Sequence, residues 1–189
     1  MIKYIPNILT MLRVVLVPVF VWFFFFAPVT NSLMWSAVIF VIAEITDYLD
    51  GKIARKYNAI SNFGKIMDPL ADKLLTGAAL IGIAVPPFQL ISIGAVFIII
   101  FREVAVSVLR QVYVKRKIYL PANNWGKIKT VTQMAGLTFV IIYLAITQVE
   151  NSTIYMLIYY YFWLVAFITA FSGINYFMPL ILPKSGKEK

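Results

Sequence analysis

The sequence predicts an all-α integral membrane protein with six transmembrane helices and both termini in the cytoplasm. Three observations carry that expectation. Hydrophobic residues make up 61% of the 189 residues and charged residues 13%, against about 45–50% and about 25% in soluble domains; mean hydropathy is +0.85. Long charge-free stretches recur at 14–43, 74–101, 130–149 and 151–183. The basic residues fall on alternate connections between these stretches.

Each element follows from a local signal. A span of the hydrocarbon core, roughly 30 Å, takes about 20 apolar residues. The first helix, 6–27, has only Lys3 ahead of an apolar run containing Pro6 and Arg13. It shows no small-residue cleavage site and reads as a retained span, not a signal peptide. The turn-like run Pro28-Val29-Thr30-Asn31-Ser32 separates it from a second helix, 33–56. The third, 64–85, stops at Pro86-Pro87, and the fourth covers 88–115. The fifth and sixth are expected at 125–147 and 153–180. Residues 1–183 form one domain without an internal repeat, and 184–189 is a polar tail.

Charge placement fixes the count. Lys3 and Arg13 mark the first segment; Lys52, Arg55, Lys56 and Lys65 mark the second connection. Arg110, Lys115, Arg116, Lys117, Lys127 and Lys129 mark the fourth, and Lys184, Lys187 and Lys189 the tail. The connections near 28–32, 86–88 and 148–152 carry no Lys or Arg. Six spans place every basic segment on one side, which the positive-inside rule makes cytoplasmic. Tyr155, Tyr159, Tyr160, Tyr161 and Trp163 then fit an aromatic belt at the outer interface.

Composition also excludes chemistry. There is no Cys and no His, so thiolate nucleophiles, imidazole bases and ordinary zinc sites are ruled out. The net charge of +9, in so apolar a chain, points to anionic lipid and phosphorylated substrates rather than nucleic acid. Lys115-Arg116-Lys117 reads as an exposed run attracting anionic lipid.

Five of the eight acidic residues crowd the facing ends of helices 2 and 3: Glu44, Asp47, Asp50, Asp68 and Asp72. A carboxylate at membrane depth costs about 2.5–3.5 kcal/mol or more and commonly marks function. Asp47 and Asp50 are spaced i,i+3 and Asp68 and Asp72 i,i+4, so each pair shares a helical face. Helices 2 and 3 are expected to lie side by side with those faces opposed. Carboxylates so placed need cations. Spacing alone leaves two sources open: Lys52, Arg55, Lys65 and Lys73 in a structural ion-pair cluster, or divalent ions, for which an all-oxygen set favours Mg²⁺ or Mn²⁺. A structural role for Glu44 and Glu103 is equally open. Gly51, Ala54 and Gly64 interleave with the acids, where small residues admit either a neighbouring helix or a ligand. Arg55 offers a donor fork suited to phosphate.

From Asp47 to Asp72 the chain reads Asp-x2-Asp-Gly-x2-Ala-Arg-x8-Gly-x3-Asp-x3-Asp. Position for position, this resembles the signature of the CDP-alcohol phosphotransferase family, and the six-span pattern extends the likeness over the chain. Within that family it looks most like the members that use sn-glycerol 3-phosphate as acceptor. The segments carrying that narrower likeness are Ile5 to Arg13, Arg102-Glu103 with Leu109-Arg110, and Gly126 to Thr130 with Gln133.

The resemblance implies a reaction at the cytoplasmic face of a bacterial inner membrane. CDP-diacylglycerol gives its phosphatidyl group to the hydroxyl of sn-glycerol 3-phosphate, and CMP leaves. By the same resemblance Asp47, Asp50, Asp68 and Asp72 hold two divalent ions, Mg²⁺ or Mn²⁺, and Asp72 also takes the hydroxyl proton. Gly51, Ala54, Arg55 and Gly64 accommodate the cytidine diphosphate, and the protein is a homodimer. The acceptor's phosphate needs a cationic pocket, for which Arg110, Lys127, Lys129 and Arg13 are the candidates. Inositol phosphate, serine or phosphatidylglycerol as acceptor is the alternative within the family. A small cation transporter is the alternative outside it, although such folds favour internal repeats and midplane sites.

Overall fold

The computed structural model describes residues 5–57, 62–116, 124–147 and 151–181. Among these residues every regular element is helical. In chain order they are α1 (Ile5–Val21), α2 (Ser32–Tyr57), α3 (Asn62–Ala84), α4 (Ile93–Lys115), α5 (Asn124–Ile146) and α6 (Ser152–Ile181). The polar tail from 184 onward lies outside the described residues.

The expected helices are present, with two differences. Helix α1 does not run cleanly to residue 27. Pro18 interrupts it, since it has no N–H for the carbonyl four residues back. The chain then loosens into a π-helical turn, Trp22–Phe26, closed by Ala27 N–H donating to the Trp22 carbonyl at 2.9 Å. Asn31 next takes a left-handed conformation, φ 64°, which Asn tolerates better than most residues, and turns the chain into α2. The second difference is the start of α4. Pro86-Pro87 is a cis pair and Gln89 has φ 50°, so residues 85–92 form a compact turn instead of a first helical turn. Leu90 N–H reaches back to the Ile83 carbonyl at 2.8 Å, and Leu90 and Ile91 are buried.

Among the described residues four helices are long and apolar enough to cross a membrane: Asn7–Phe26, Ser32–Asp50, Trp125–Ile146 and Ser152–Ile174. Helices α3 and α4 have 23 residues each, about 34 Å at 1.5 Å per residue. Their length suffices, but Asp68, Asp72 and Lys73 in one and Arg102, Glu103 and Arg110 in the other make them more polar.

The packing order departs from chain order. Helix α1 packs against both α2 and α3, whereas among the described residues α2 and α3 touch each other only slightly. They are therefore not the side-by-side neighbours expected from sequence. Acid-bearing faces repel, and α1 supplies a cation and a hydroxyl to both. On the other side α6 packs on α4 and α5, and α5 closes against α2.

Most of the buried polar residues are sorted by end. Thr10, Lys129 and Gln133 lie in the N-terminal halves of odd-numbered helices and Arg13 at the midpoint of α1, whereas Thr46, Asp50, Thr169 and Ser172 lie in the C-terminal halves of even-numbered ones. Alternating helices run in opposite directions, so these residues gather towards one end of the bundle; Thr76, past the middle of α3, and Ser36, near the start of α2, are the exceptions. The other end and the middle hold a continuous apolar core that includes Phe20, Phe40, Leu80, Ile83, Ile99, Leu137, Phe162 and Val165. Helices approach closely where a side chain is missing: a Cβ on Gly136 of α5 would collide with the Tyr161 ring of α6. Tyr161 consequently turns inward from the expected aromatic belt, and its hydroxyl donates to the Thr132 carbonyl at 2.8 Å.

Candidate active site

The polar end contains two linked clusters. In the first, Arg13 of α1 inserts between the two aspartates of α2. Its Nη2 donates to Asp50 Oδ2 at 2.5 Å, and Nη1 lies 2.6 Å from Asp47 Oδ1 as an ion pair without hydrogen-bond alignment. Arg13 is 1% exposed and Asp50 almost as buried, while half of the Asp47 side chain is open. One turn earlier on α1, the Thr10 hydroxyl donates to Asp68 Oδ1 of α3 at 2.6 Å. The i,i+3 spacing of Thr10 and Arg13 puts both on the face of α1 that looks at α2 and α3.

Asp72 is half-buried one turn further along α3. Its charged neighbours are Asp47, Glu103, Arg13 and Lys129. Glu44, one turn before Asp47, faces Asp72, Asp47 and Arg13. The four signature aspartates thus belong to one electrostatic neighbourhood spanning α2 and α3. Among the described residues no three acidic side chains close into a ready metal cage; the cation seated between Asp47 and Asp50 is a guanidinium. The donor set still suits a hard divalent ion. It is all carboxylate oxygen.

The second cluster joins α4, α5 and α6. Lys129 Nζ donates to Glu103 Oε1 in a largely buried pair. Arg102 Nη2 donates to the Ser172 hydroxyl at 2.8 Å, and Arg110 Nη2 to the Tyr176 hydroxyl at 2.6 Å. The Tyr176 ring lies under both guanidinium groups, 5.7 Å from Arg102 and 5.1 Å from Arg110. Tyr113 donates to the Tyr176 carbonyl at 2.9 Å, fixing that end of α6. Gly173 makes room, since a Cβ there would stand 3.2 Å from Arg102 Cγ. Lys73 Nζ bonds Ser107 Oγ and ties α3 to α4 between the clusters. Deeper in, Gln133 Oε1, Thr169 Oγ1 and Arg102 Nε are buried without a hydrogen-bond partner.

The sequence-predicted residues divide accordingly. Asp47, Asp50, Asp68 and Asp72 come together around α1. Arg13, expected at the acceptor's phosphate, instead pairs with two of them. Arg110 and Lys129 reach the second cluster, and Lys127 is exposed one turn from the end of α5. Gly64 is buried at the start of α3. Gly51, Ala54 and Arg55 lie on α2, and their side chains fall outside what the structure describes. Sequence reasoning passed over Thr10 as a partner of Asp68 and missed Ser172 and Tyr176 altogether. Thr169, Ser172 and Tyr176 recur at helical spacing along one face of an otherwise apolar α6, the kind of stripe that reveals such a face.

Known proteins share this pattern. Residues 3–172 match the family described as CDP-alcohol phosphatidyltransferase. A protein of Rickettsia typhi named CDP-diacylglycerol–glycerol-3-phosphate 3-phosphatidyltransferase is 37% identical over 179 residues, covering 93% of this chain and 96% of its own length. A Bacillus subtilis protein of the same name is 35% identical over 185 residues, covering 92% and 93%. One of Haemophilus influenzae is 40% identical over 136 residues, covering 70% and 72%. With its aspartate signature gathered at one end of a six-helix bundle and a family match over nearly the whole length, the chain belongs to the CDP-alcohol phosphatidyltransferase family.

Proposed function

We propose that the protein transfers the phosphatidyl group of CDP-diacylglycerol to sn-glycerol 3-phosphate, giving phosphatidylglycerophosphate and CMP. One observation carries this reading: the signature aspartates share a neighbourhood with a cationic cluster on α4 and α5, in which Lys129 is buried and Arg110 exposed, so a diphosphate donor and a phosphorylated acceptor can meet at one end of the bundle.

In this reading Gly51, Ala54, Arg55 and Gly64 receive the cytidine diphosphate, the small residues letting it lie close to the helices. Asp47, Asp50, Asp68 and Asp72 hold two divalent cations, Mg²⁺ or Mn²⁺, which supply Lewis-acid stabilisation of phosphate charge. Asp72 accepts the proton of the acceptor hydroxyl as that oxygen bonds to the phosphatidyl phosphorus and the bond to CMP breaks. A carboxylate within hydrogen-bond reach lowers the barrier for so weak a nucleophile. Arg110, Lys127 and Lys129 pair the acceptor's phosphate, whose dianion the aspartates would otherwise repel. Tyr176 aims Arg110 and Glu103 aims Lys129 before any substrate arrives.

The reading includes topology. All six helices cross a bacterial inner membrane, both termini are cytoplasmic, and the polar end faces the cytoplasm, where the headgroup of CDP-diacylglycerol meets the water-soluble acceptor. The protein works among membrane lipids as a homodimer. The test is an acceptor panel on purified protein with CDP-diacylglycerol and Mg²⁺ or Mn²⁺, measuring CMP and lipid product together. Turnover with sn-glycerol 3-phosphate above serine, inositol phosphate and phosphatidylglycerol is the expected result. Preference for another acceptor overturns the acceptor assignment, and no metal-dependent CMP release with any of them overturns the reaction.

A further inference from the structure

Arg13 is the least expected residue of the site. It is among the largest fully buried side chains of the protein, its Nε has no hydrogen-bond partner, and its two terminal nitrogens contact Asp47 and Asp50 at 2.6 and 2.5 Å. A full positive charge has been placed in the interior and spent on two carboxylates of the signature. The contacts are asymmetric. Nη2 donates a hydrogen bond to Asp50 Oδ2, whereas Nη1 lies against Asp47 Oδ1 without one. Glu44, Asp47 and Asp72 all feel Arg13 as a positive neighbour, so its charge is spread over the whole acidic group and not over one partner.

We infer that Arg13 is a positioning and charge-balancing residue of the metal site, not a ligand of the acceptor's phosphate. The inference rests on the reading of the aspartates as divalent-cation ligands. Three things follow from the geometry. Before the cations bind, the guanidinium keeps four mutually repelling acids at one place. It fixes the rotation of Asp47 and Asp50, and therefore which oxygen each turns towards a cation. Once cations are present, it stands as a like charge close to the same carboxylates, so it weakens cation binding and keeps the ions exchangeable. The guanidinium is buried and flanked by two carboxylates, whose charge repels a phosphate dianion even though its Nε and Nη1 carry no hydrogen bond.

The test uses the full-length protein in detergent, with Mn²⁺ as probe, read by electron paramagnetic resonance titration and by thermal unfolding. Arg13→Gln should bind Mn²⁺ about tenfold or more tightly, because a nearby like charge is gone. Its melting temperature without metal should fall below that of the unaltered protein, and most of the gap should close at saturating Mn²⁺. At saturating Mn²⁺ its kcat should drop while KM for sn-glycerol 3-phosphate stays within about twofold. Arg13→Lys keeps the charge without the fork; it should leave Mn²⁺ affinity near the unaltered value while still lowering kcat, and it serves if the glutamine variant does not fold. Unchanged Mn²⁺ affinity in Arg13→Gln, tighter binding in Arg13→Lys, or a tenfold rise in KM for sn-glycerol 3-phosphate in either variant overturns the inference. Failure of the unaltered protein to bind Mn²⁺ at all is a different result and overturns the metal reading beneath it.

Discussion

The Thr10 hydroxyl donates to Asp68 at 2.6 Å across 58 residues of sequence, and this bond ties α1 to the signature aspartates of α3. A hydrogen bond to a charged group contributes about 1.5–3 kcal/mol. Thr10→Val keeps the shape and removes the donor, so Asp68 loses its orientation. Activity should fall by roughly tenfold to a hundredfold, with Thr10→Ser retaining most of it. CMP release from matched amounts of purified protein measures both.

Replacing Asp72 by Asn should abolish turnover with little change in folding, since the amide is nearly isosteric but can neither accept the hydroxyl proton nor serve well as a metal ligand. Chelation by EDTA should abolish turnover in the unaltered protein, and Mg²⁺ or Mn²⁺ should restore it. Residual activity in Asp72→Asn above about one part in a hundred would transfer the base to another residue. Thermal unfolding separates loss of chemistry from loss of fold.

The cationic cluster makes a prediction with two parts. Arg110→Ala should raise KM for sn-glycerol 3-phosphate by tenfold or more, corresponding to about 1.5–3 kcal/mol for a charge-assisted contact, and change KM for CDP-diacylglycerol far less. Lys129→Ala should behave differently, because it also strands the buried Glu103 carboxylate. Breaking a buried pair costs about 3–5 kcal/mol, so its melting temperature should drop. The double variant Lys129→Met with Glu103→Gln should recover stability but not activity. Equal effects of Arg110→Ala on both substrates would place the acceptor pocket elsewhere.

Topology is open to a clean chemical map, since the protein has no native cysteine. A cysteine introduced at Asn151, between α5 and α6, should react with an impermeant maleimide added outside intact cells. One at Ser185 should react only after lysis. Labelling of both from the same side would mean that α6 does not cross between them and overturns the six-span reading.

Much of this architecture was legible because charge-free stretches longer than a bilayer leave helices as the only economical choice. The misreadings have physical causes. Phe88 to Ile91 looks like the start of α4 because it is apolar, yet it is apolar because Leu90 and Ile91 fill the core from within a turn. Helices α2 and α3 looked like partners because they are consecutive, but chain adjacency says nothing of the repulsion that α1 relieves. The aspartates could be grouped from spacing alone. The partners of Arg13 and Tyr176 could not, because each depends on the register between helices far apart in sequence.

The separation of polar and apolar ends has an evolutionary consequence. The residues that hold the bundle together, such as Phe20, Leu80 and Phe162, are not those of the polar clusters. If the second cluster receives the acceptor, as proposed, its side chains can drift towards a new alcohol while the scaffold stays the same. Gln133 Oε1 and Thr169 Oγ1, buried without a hydrogen-bond partner, mark the layer where such drift meets the least resistance, because these atoms have no internal hydrogen bond to give up. A fold divided in this way can diversify its acceptors without renegotiating its stability.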